Sequence, residues 1–142
     1  MRTGVRLAID VGSVRIGVAR SDPGGLMAVP LDAIPASDRA FATVSSLVDK
    51  YEAIEVVIGL PLSMDGTEGK AAGVARSWAE QLSAVVAVPV RLVDERLTTV
   101  QAQRGLHAAG RSVKSSRGMI DSASAVILLQ SDLDAERVKG SA

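Results

Sequence analysis

The chain contains no cysteine. That excludes disulfides, thiolate catalysis and any cysteine-ligated zinc site. One histidine, one phenylalanine, one tyrosine and one tryptophan leave no aromatic platform on which single-stranded bases could stack. No apolar run approaches the roughly 20 residues of a membrane helix, and the opening MRTGVRLAID lacks the apolar core and small-residue cleavage site of a secretory signal. A cytoplasmic protein without a membrane partner is expected. Net charge is missing too, since 16 Lys and Arg balance 16 Asp and Glu over 142 residues. Taken as a total, zero speaks against a nucleic-acid partner. The distribution reverses that, because every charged residue between Glu95 and Asp121 is basic: Arg96, Arg104, Arg111, Lys114 and Arg117. A neutral total thus hides a positive stripe beside a group of acids. Contact with nucleic acid would run through phosphates.

What is present is an ordinary globular composition, 47% hydrophobic and 23% charged. It predicts one domain over residues 1–142 with its own core. Val5–Val11, Ile16–Ser21 and Leu26–Ile34 read as strands separated by a Gly12-Ser13 break and the stronger turn DPGG at 22–25; connections this short predict an antiparallel meander. Ser37 or Asp38 is placed to cap a helix whose apolar face carries Phe41, Val44, Val48 and Tyr51. The pattern then changes to strand and helix in alternation. Ile54–Gly59 is an apolar strand of the kind covered on both faces. After a Pro- and Gly-containing loop, Ala71, Ala75, Trp78 and Leu82 form one helical stripe, and Val88–Val93 is a fifth strand. Thr98 with Gln101 fits a capping box for a helix that Gly110 can close. A basic loop leads to a last helix over about Met119–Arg137. The sum is an α/β fold of ribonuclease H-like order: a mixed five-stranded sheet, three antiparallel strands then βαβ units, with helices on both faces.

Three acids stand out against this frame. Alternation in LAIDVG puts Leu7, Ile9 and Val11 on one face and Ala8 and Asp10 on the other. Asp10 therefore lies near the carboxyl end of a central strand, where open α/β sheets bind ligands, although a turn aspartate would look the same. In VDERLTT, Asp94 and Glu95 point to opposite sides, so only one can meet Asp10; Asp94 better suits a helix-entry charge. Asp121 precedes Ala125 and Leu128 by four and seven residues and so shares a helix side with apolar residues, though a first-turn acid can simply answer the helix dipole. Carboxylates gathered together repel unless a cation compensates them. Hard oxygen ligands without His or Cys suit Mg²⁺ or Mn²⁺, ions able to support phosphodiester cleavage.

LAIDVGSVRIGVA, VIGLPLSMDG, VDERLTT and IDSASAVILLQ resemble, in order and across nearly the whole chain, the YqgF/RuvX family of ribonuclease H-like proteins. Its members are described as pre-16S rRNA nucleases and also as Holliday-junction resolvases. The resemblance implies a divalent-metal-dependent hydrolase acting in 5′-end processing of the 16S rRNA precursor, or alternatively on branched DNA. It maps the catalytic and metal-binding acids onto Asp10, Glu95 and Asp121. Ser124 stands where the family commonly has a second alanine, a change without chemical consequence.

Arg15 and Arg96 adjoin the acidic motifs and could grip phosphate or pair with a neighbouring carboxylate. Arg111, Lys114 and Arg117, flanked by glycines and without acidic partners, are further candidate phosphate contacts. Gly59 and Pro61 read as shaping a turn near the site, Trp78 as core, and His107 as exposed on its helix. A junction resolvase would be a two-fold dimer; the sequence displays no dimer surface, so monomer and homodimer both stay open. Two other classes remain. Asp-Val-Gly at a hairpin resembles the phosphate loop of actin-like ATPases, but those need roughly twice this length. A non-catalytic module would bind through Arg111, Lys114 and Arg117 whatever becomes of Asp10.

Overall fold

A computed structural model describes residues 2–97 and 122–141. Its elements are β1 (Arg6–Val11), β2 (Arg15–Ser21), β3 (Ala28–Pro35), α1 (Ala40–Tyr51), β4 (Glu55–Leu60), α2 (Lys70–Ser83), β5 (Val90–Asp94), a single 3₁₀ turn (Glu95–Leu97) and α3 (Ala123–Ser141). The strands form one sheet in the order β3-β2-β1-β4-β5. β1–β2 and β2–β3 pair antiparallel, while β1–β4 and β4–β5 pair parallel. This is the expected mixed sheet. The predicted helix opening at Thr98, the segment with His107, Arg111, Lys114 and Arg117, and Met119–Asp121 lie outside the described residues.

Alternation along the strands builds two cores. Leu7, Ile9, Ile16, Val18, Val56 and Ile58 pack on one face with Val44 and Val48 of α1 and Trp78 and Leu82 of α2; the Phe41 and Trp78 rings meet there at 4.7 Å between centroids. Ala8, Ala19, Ala28 and Val57 form the other face, under Ala125, Val126, Leu128, Leu129 and Leu133 of α3. Three alanines on the sheet let α3 approach closely, and each leucine it fully buries contributes about 1.5–3 kcal/mol. β4 is buried at every residue, as a parallel strand covered on both faces must be.

Local boundaries differ from expectation where backbone bonding overrides residue preference. α1 begins at Ala40 with Arg39 in the capping position and no side-chain cap; the Ser37 carbonyl accepts Ala40 N–H instead, at 3.0 Å. The α2 stripe runs through Ala72, Ala75, Trp78, Ala79 and Leu82, and Ala71 is exposed. β5 starts after Pro89, which has no N–H to give the ladder but whose carbonyl accepts Val56 N–H at 3.0 Å. Leu26 and Met27 belong to the turn before β3, where both backbone N–H groups donate to Asp22 Oδ1 at 2.8 Å.

At the amino ends of the parallel strands an ion-pair network ties α3 to the sheet. Glu55, 4% exposed, accepts from Arg2 at 2.9 Å and Arg91 at 3.0 Å. Arg91 also pairs with Asp132 at 2.7 Å, and fully buried Arg6 pairs with Glu136. The acidic site lies at the opposite end of these strands.

Candidate active site

Asp10 stands one residue from the end of β1, on the α3 face with Ala8. Its cross-strand partner in β2 is Gly17. On the other flank Ile9 pairs with Ile58 of β4, so the register brings Gly59 alongside Asp10. The acid thus has a glycine on either side, leaving the sheet surface around it bare of side chains. Pairing of Gly59 with Val93 and of Leu60 with Asp94 brings the carboxyl end of β5 to the same edge.

The 3₁₀ turn after Asp94 folds Glu95 back over β4. A Cβ at position 59 would lie 2.2 Å from Glu95 Oε1 and 2.9 Å from its Cγ and Cδ, so the glutamate side chain occupies the space that any residue but glycine would fill. Gly59 was expected to shape a turn; it lies inside β4 and seats Glu95. The readable signal was a glycine interrupting an apolar strand, which marks a close approach. Glu95 and Asp10 share a hydrogen bond, which requires a proton on one of the two carboxyls. Burial, the Asp10 charge, that hydrogen bond and the Asp94 charge push the Glu95 carboxyl up to about 7.

Asp94 turns the other way, as alternation requires. Its Oδ1 accepts Arg96 N–H at 2.9 Å, and the Arg96 guanidinium reaches both its oxygens at 2.7–3.1 Å, holding the carboxyl below its ordinary value. Asp94 therefore caps the turn that carries Glu95. Arg96 thus makes the carboxylate pair expected of it, and it also donates to the carbonyls of Ser63 and Met64 at 3.4 and 3.3 Å, bracketing the β4–α2 loop to the site. Arg15 opens β2 with an exposed side chain. The hairpin before it is so tight that a Cβ at Gly12 would fall 2.3 Å from the Arg15 carbonyl oxygen.

The structure brings together Asp10 and Glu95; Asp121, Arg111, Lys114 and Arg117 are outside the described residues. Among the described residues no group of three or more His, Asp or Glu could hold a metal ion. The pair itself fits one: its donors are all hard oxygens, and a cation between the carboxylates would relieve the repulsion that raises Glu95. No helix among the described residues is long and apolar enough to cross a membrane.

Among solved structures, the chain is similar to Thermus thermophilus RuvC in complex with a Holliday junction substrate (TM-score 0.63, 18% identity, covering 95% of this chain and 96% of that one). A second structure of Thermus thermophilus RuvC gives a TM-score of 0.59 at 16% identity, covering 94% and 96% of the two chains. These likenesses concern the fold. Closer in sequence are proteins named "Putative pre-16S rRNA nuclease". That of Streptomyces avermitilis is 52% identical, covering all of this chain and 93% of the relative. That of Thermobifida fusca is 49% identical, covering 96% and 91%. The family model described as "RuvX: Holliday junction resolvase" matches residues 4–135. With a five-stranded mixed sheet, an acid pair at the carboxyl ends of its parallel strands and this match over nearly its whole length, the chain belongs to the RuvX family of ribonuclease H-like nucleases.

Proposed function

We propose that this nuclease hydrolyses phosphodiester bonds at the 5′ end of the 16S rRNA precursor, in the cytoplasm, with Mg²⁺ or Mn²⁺ held by Asp10, Glu95 and Asp121. The observation that carries the reading is the Asp10–Glu95 pair, with Glu95 seated over Gly59 and burial and the neighbouring acids pushing its carboxyl up to about 7. When bound, the ion supplies Lewis-acid polarisation and neutralises charge developing at the phosphate. The chain's own part is geometric. Glu95 must release its proton to become a ligand, Asp94 and Arg96 fix the turn from which it reaches back, Gly59 leaves the space that Glu95 fills, and Gly17 adds no side chain on the other flank of Asp10. Arg15, Arg111, Lys114 and Arg117 contact substrate phosphates. Arg96, 38% exposed while paired with Asp94, adds positive charge at the same edge.

The family description favours a second reading, cleavage of branched DNA junctions by a homodimer. Purified protein assayed on precursor rRNA ends and on four-way DNA junctions, each with a chelated control, separates the two. Metal-dependent cut ends on the RNA alone support the first. Symmetric junction cuts by a dimer replace it with the second. Cleavage by Asp10→Asn at the wild-type level overturns the acid site for both.

A further inference from the structure

We propose that Met64, at the tip of the β4–α2 loop, is a base-contacting residue whose side chain packs against a nucleobase next to the scissile phosphate. This rests on the reading of the acid pair as a nuclease site. β1 and β4 are parallel neighbours, so the β1–β2 turn and the β4–α2 loop leave the sheet at the same end, the one that holds Asp10 and Glu95. Each carries a bare apolar side chain. Met64 is 94% exposed and Val14 73%, the two highest values for large hydrophobic residues among the described ones. A scattered exposed hydrophobe needs no explanation by itself. This one stands on a loop that is bonded along its whole length. Leu62 and Glu68 bridge as antiparallel partners, Ser63 N–H donates to the Thr67 carbonyl at 3.0 Å, and Gly66 N–H donates to the Ser63 carbonyl at 2.8 Å. Asp65 Oδ1 accepts both the N–H and the hydroxyl of Thr67, at 3.0 and 2.7 Å. Gly66 closes the turn at a φ of +87°, which glycine adopts without strain.

The hairpin is also pinned from outside. Leu62 packs on Leu60, Ala72 and Ala75, Glu68 pairs with Arg76 of α2, and Arg96, the residue after Glu95, holds the carbonyls of Ser63 and Met64. The backbone under Met64 is therefore fixed beside the acids while its side chain stays in water. Such preorganisation lowers the ordering cost of whatever the tip contacts. Guanidinium groups serve phosphates, whereas the face of a base needs apolar, polarisable surface. The three aromatic residues cannot supply it here: Trp78 lies in the core under α1 and α2, and Phe41 and Tyr51 pack against that core. A methionine thioether is flexible and packs favourably on aromatic rings, and methionine is among the side chains that wedge between base steps. The substrate read in this way has an unstacked nucleotide at the cut, not a continuous duplex.

Met27 supplies the comparison: it is also exposed, at 62%, but on the β2–β3 turn at the opposite end of the sheet. The test uses full-length Met64→Ala, Met64→Leu, Met27→Ala and Asp10→Asn. Each is measured for Tm, and for KM and kcat on the nucleic-acid strand that the wild type cuts, either intact or with the base removed from one nucleotide flanking the cut. Met64→Ala should raise KM about fivefold with kcat within about twofold, as expected for losing a thioether contact to an aromatic ring. Met64→Leu, which keeps the apolar surface, and Met27→Ala should both stay within about twofold of wild type. At one of the two flanking positions, base removal should cost the wild type about the same factor and cost Met64→Ala nothing further, because the two changes remove one contact. A wild-type KM for Met64→Ala, or equal losses on base removal in both proteins at both positions, overturns the base contact; an inactive Asp10→Asn then leaves the acid site standing. Cleavage by Asp10→Asn at the wild-type level overturns the reading on which the proposal rests.

Discussion

Replacing Gly59 with alanine isolates the seat of Glu95 from the stability of the fold. The added methyl would start 2.2 Å from Oε1 and 2.9 Å from Cγ and Cδ, whereas ordinary contact begins at 3.4 Å. The carboxylate must therefore retreat by about 1.2 Å. β4 cannot yield as easily, since it is buried at every residue and bonded to β1 and β5. The displacement falls on the end of a flexible side chain, so the stability cost belongs at the low end of the ~1–3 kcal/mol typical of overpacking. Catalysis is less tolerant, because an ångström of misplacement at a reacting centre costs on the order of 100-fold. Gly59→Ala is expected to lose about that factor in metal-dependent phosphodiester cleavage, and to bind Mn²⁺ more weakly, with Tm in chelator nearly unchanged. Gly73→Ala is the control: nothing lies within 4 Å of its Cβ on α2, and removing a helix-interior glycine should stabilise by about 0.5–1 kcal/mol. Cleavage by Gly59→Ala within threefold of wild type, at unchanged Mn²⁺ affinity, would refute the seating argument.

Other consequences follow from the same contacts. Because Glu95 titrates near 7 in the folded protein against an ordinary 4.5, the native state holds a proton that the unfolded chain releases, and metal-free stability falls as pH rises across that interval. Glu95→Gln should match wild-type Tm in chelator below about pH 4.5 and exceed it increasingly toward pH 7, with a plateau above; a pH-independent difference would contradict this. Burial pushes the Glu55 carboxyl up, but hydrogen bonds from Arg2 and Arg91 outweigh it and leave it below its ordinary value. Its stabilisation is therefore present above the ordinary carboxylate range and lost as pH falls through the folded value. Glu55→Gln should cost about 1–3 kcal/mol in denaturant unfolding at neutral pH, less in acid, without altering cleavage per folded molecule. Arg96→Ala removes the bonds to Ser63 and Met64, so limited proteolysis should cut faster within residues 61–69 while Tm barely moves.

Much of the fold follows from local chemistry. Alternation in LAIDVG put Asp10 and Ala8 on one face, and the two cores divide along that line. The same alternation separated Asp94 from Glu95; Asp94, expected as a helix-entry charge, instead caps the 3₁₀ turn. Element ends were less legible, because they depend on bonds between segments: the Ser37 carbonyl starts α1 where a side-chain cap was expected, and Pro89 delays β5. The Arg96–Asp94 pair was one of two roles the sequence left open for that guanidinium, and the path of the 3₁₀ turn is what brings the two side chains together.

By itself the sequence determined which residue types could do the chemistry and which side of each strand they occupy, because those depend on neighbours along one chain. Where Gly59 and Met64 stand relative to the acids was decided only by tertiary structure. An absent side chain becomes a seat only when Glu95 arrives from another strand. An exposed methionine stands beside that glutamate only when Arg96, reaching from the turn after β5, takes the carbonyls of the loop that carries it.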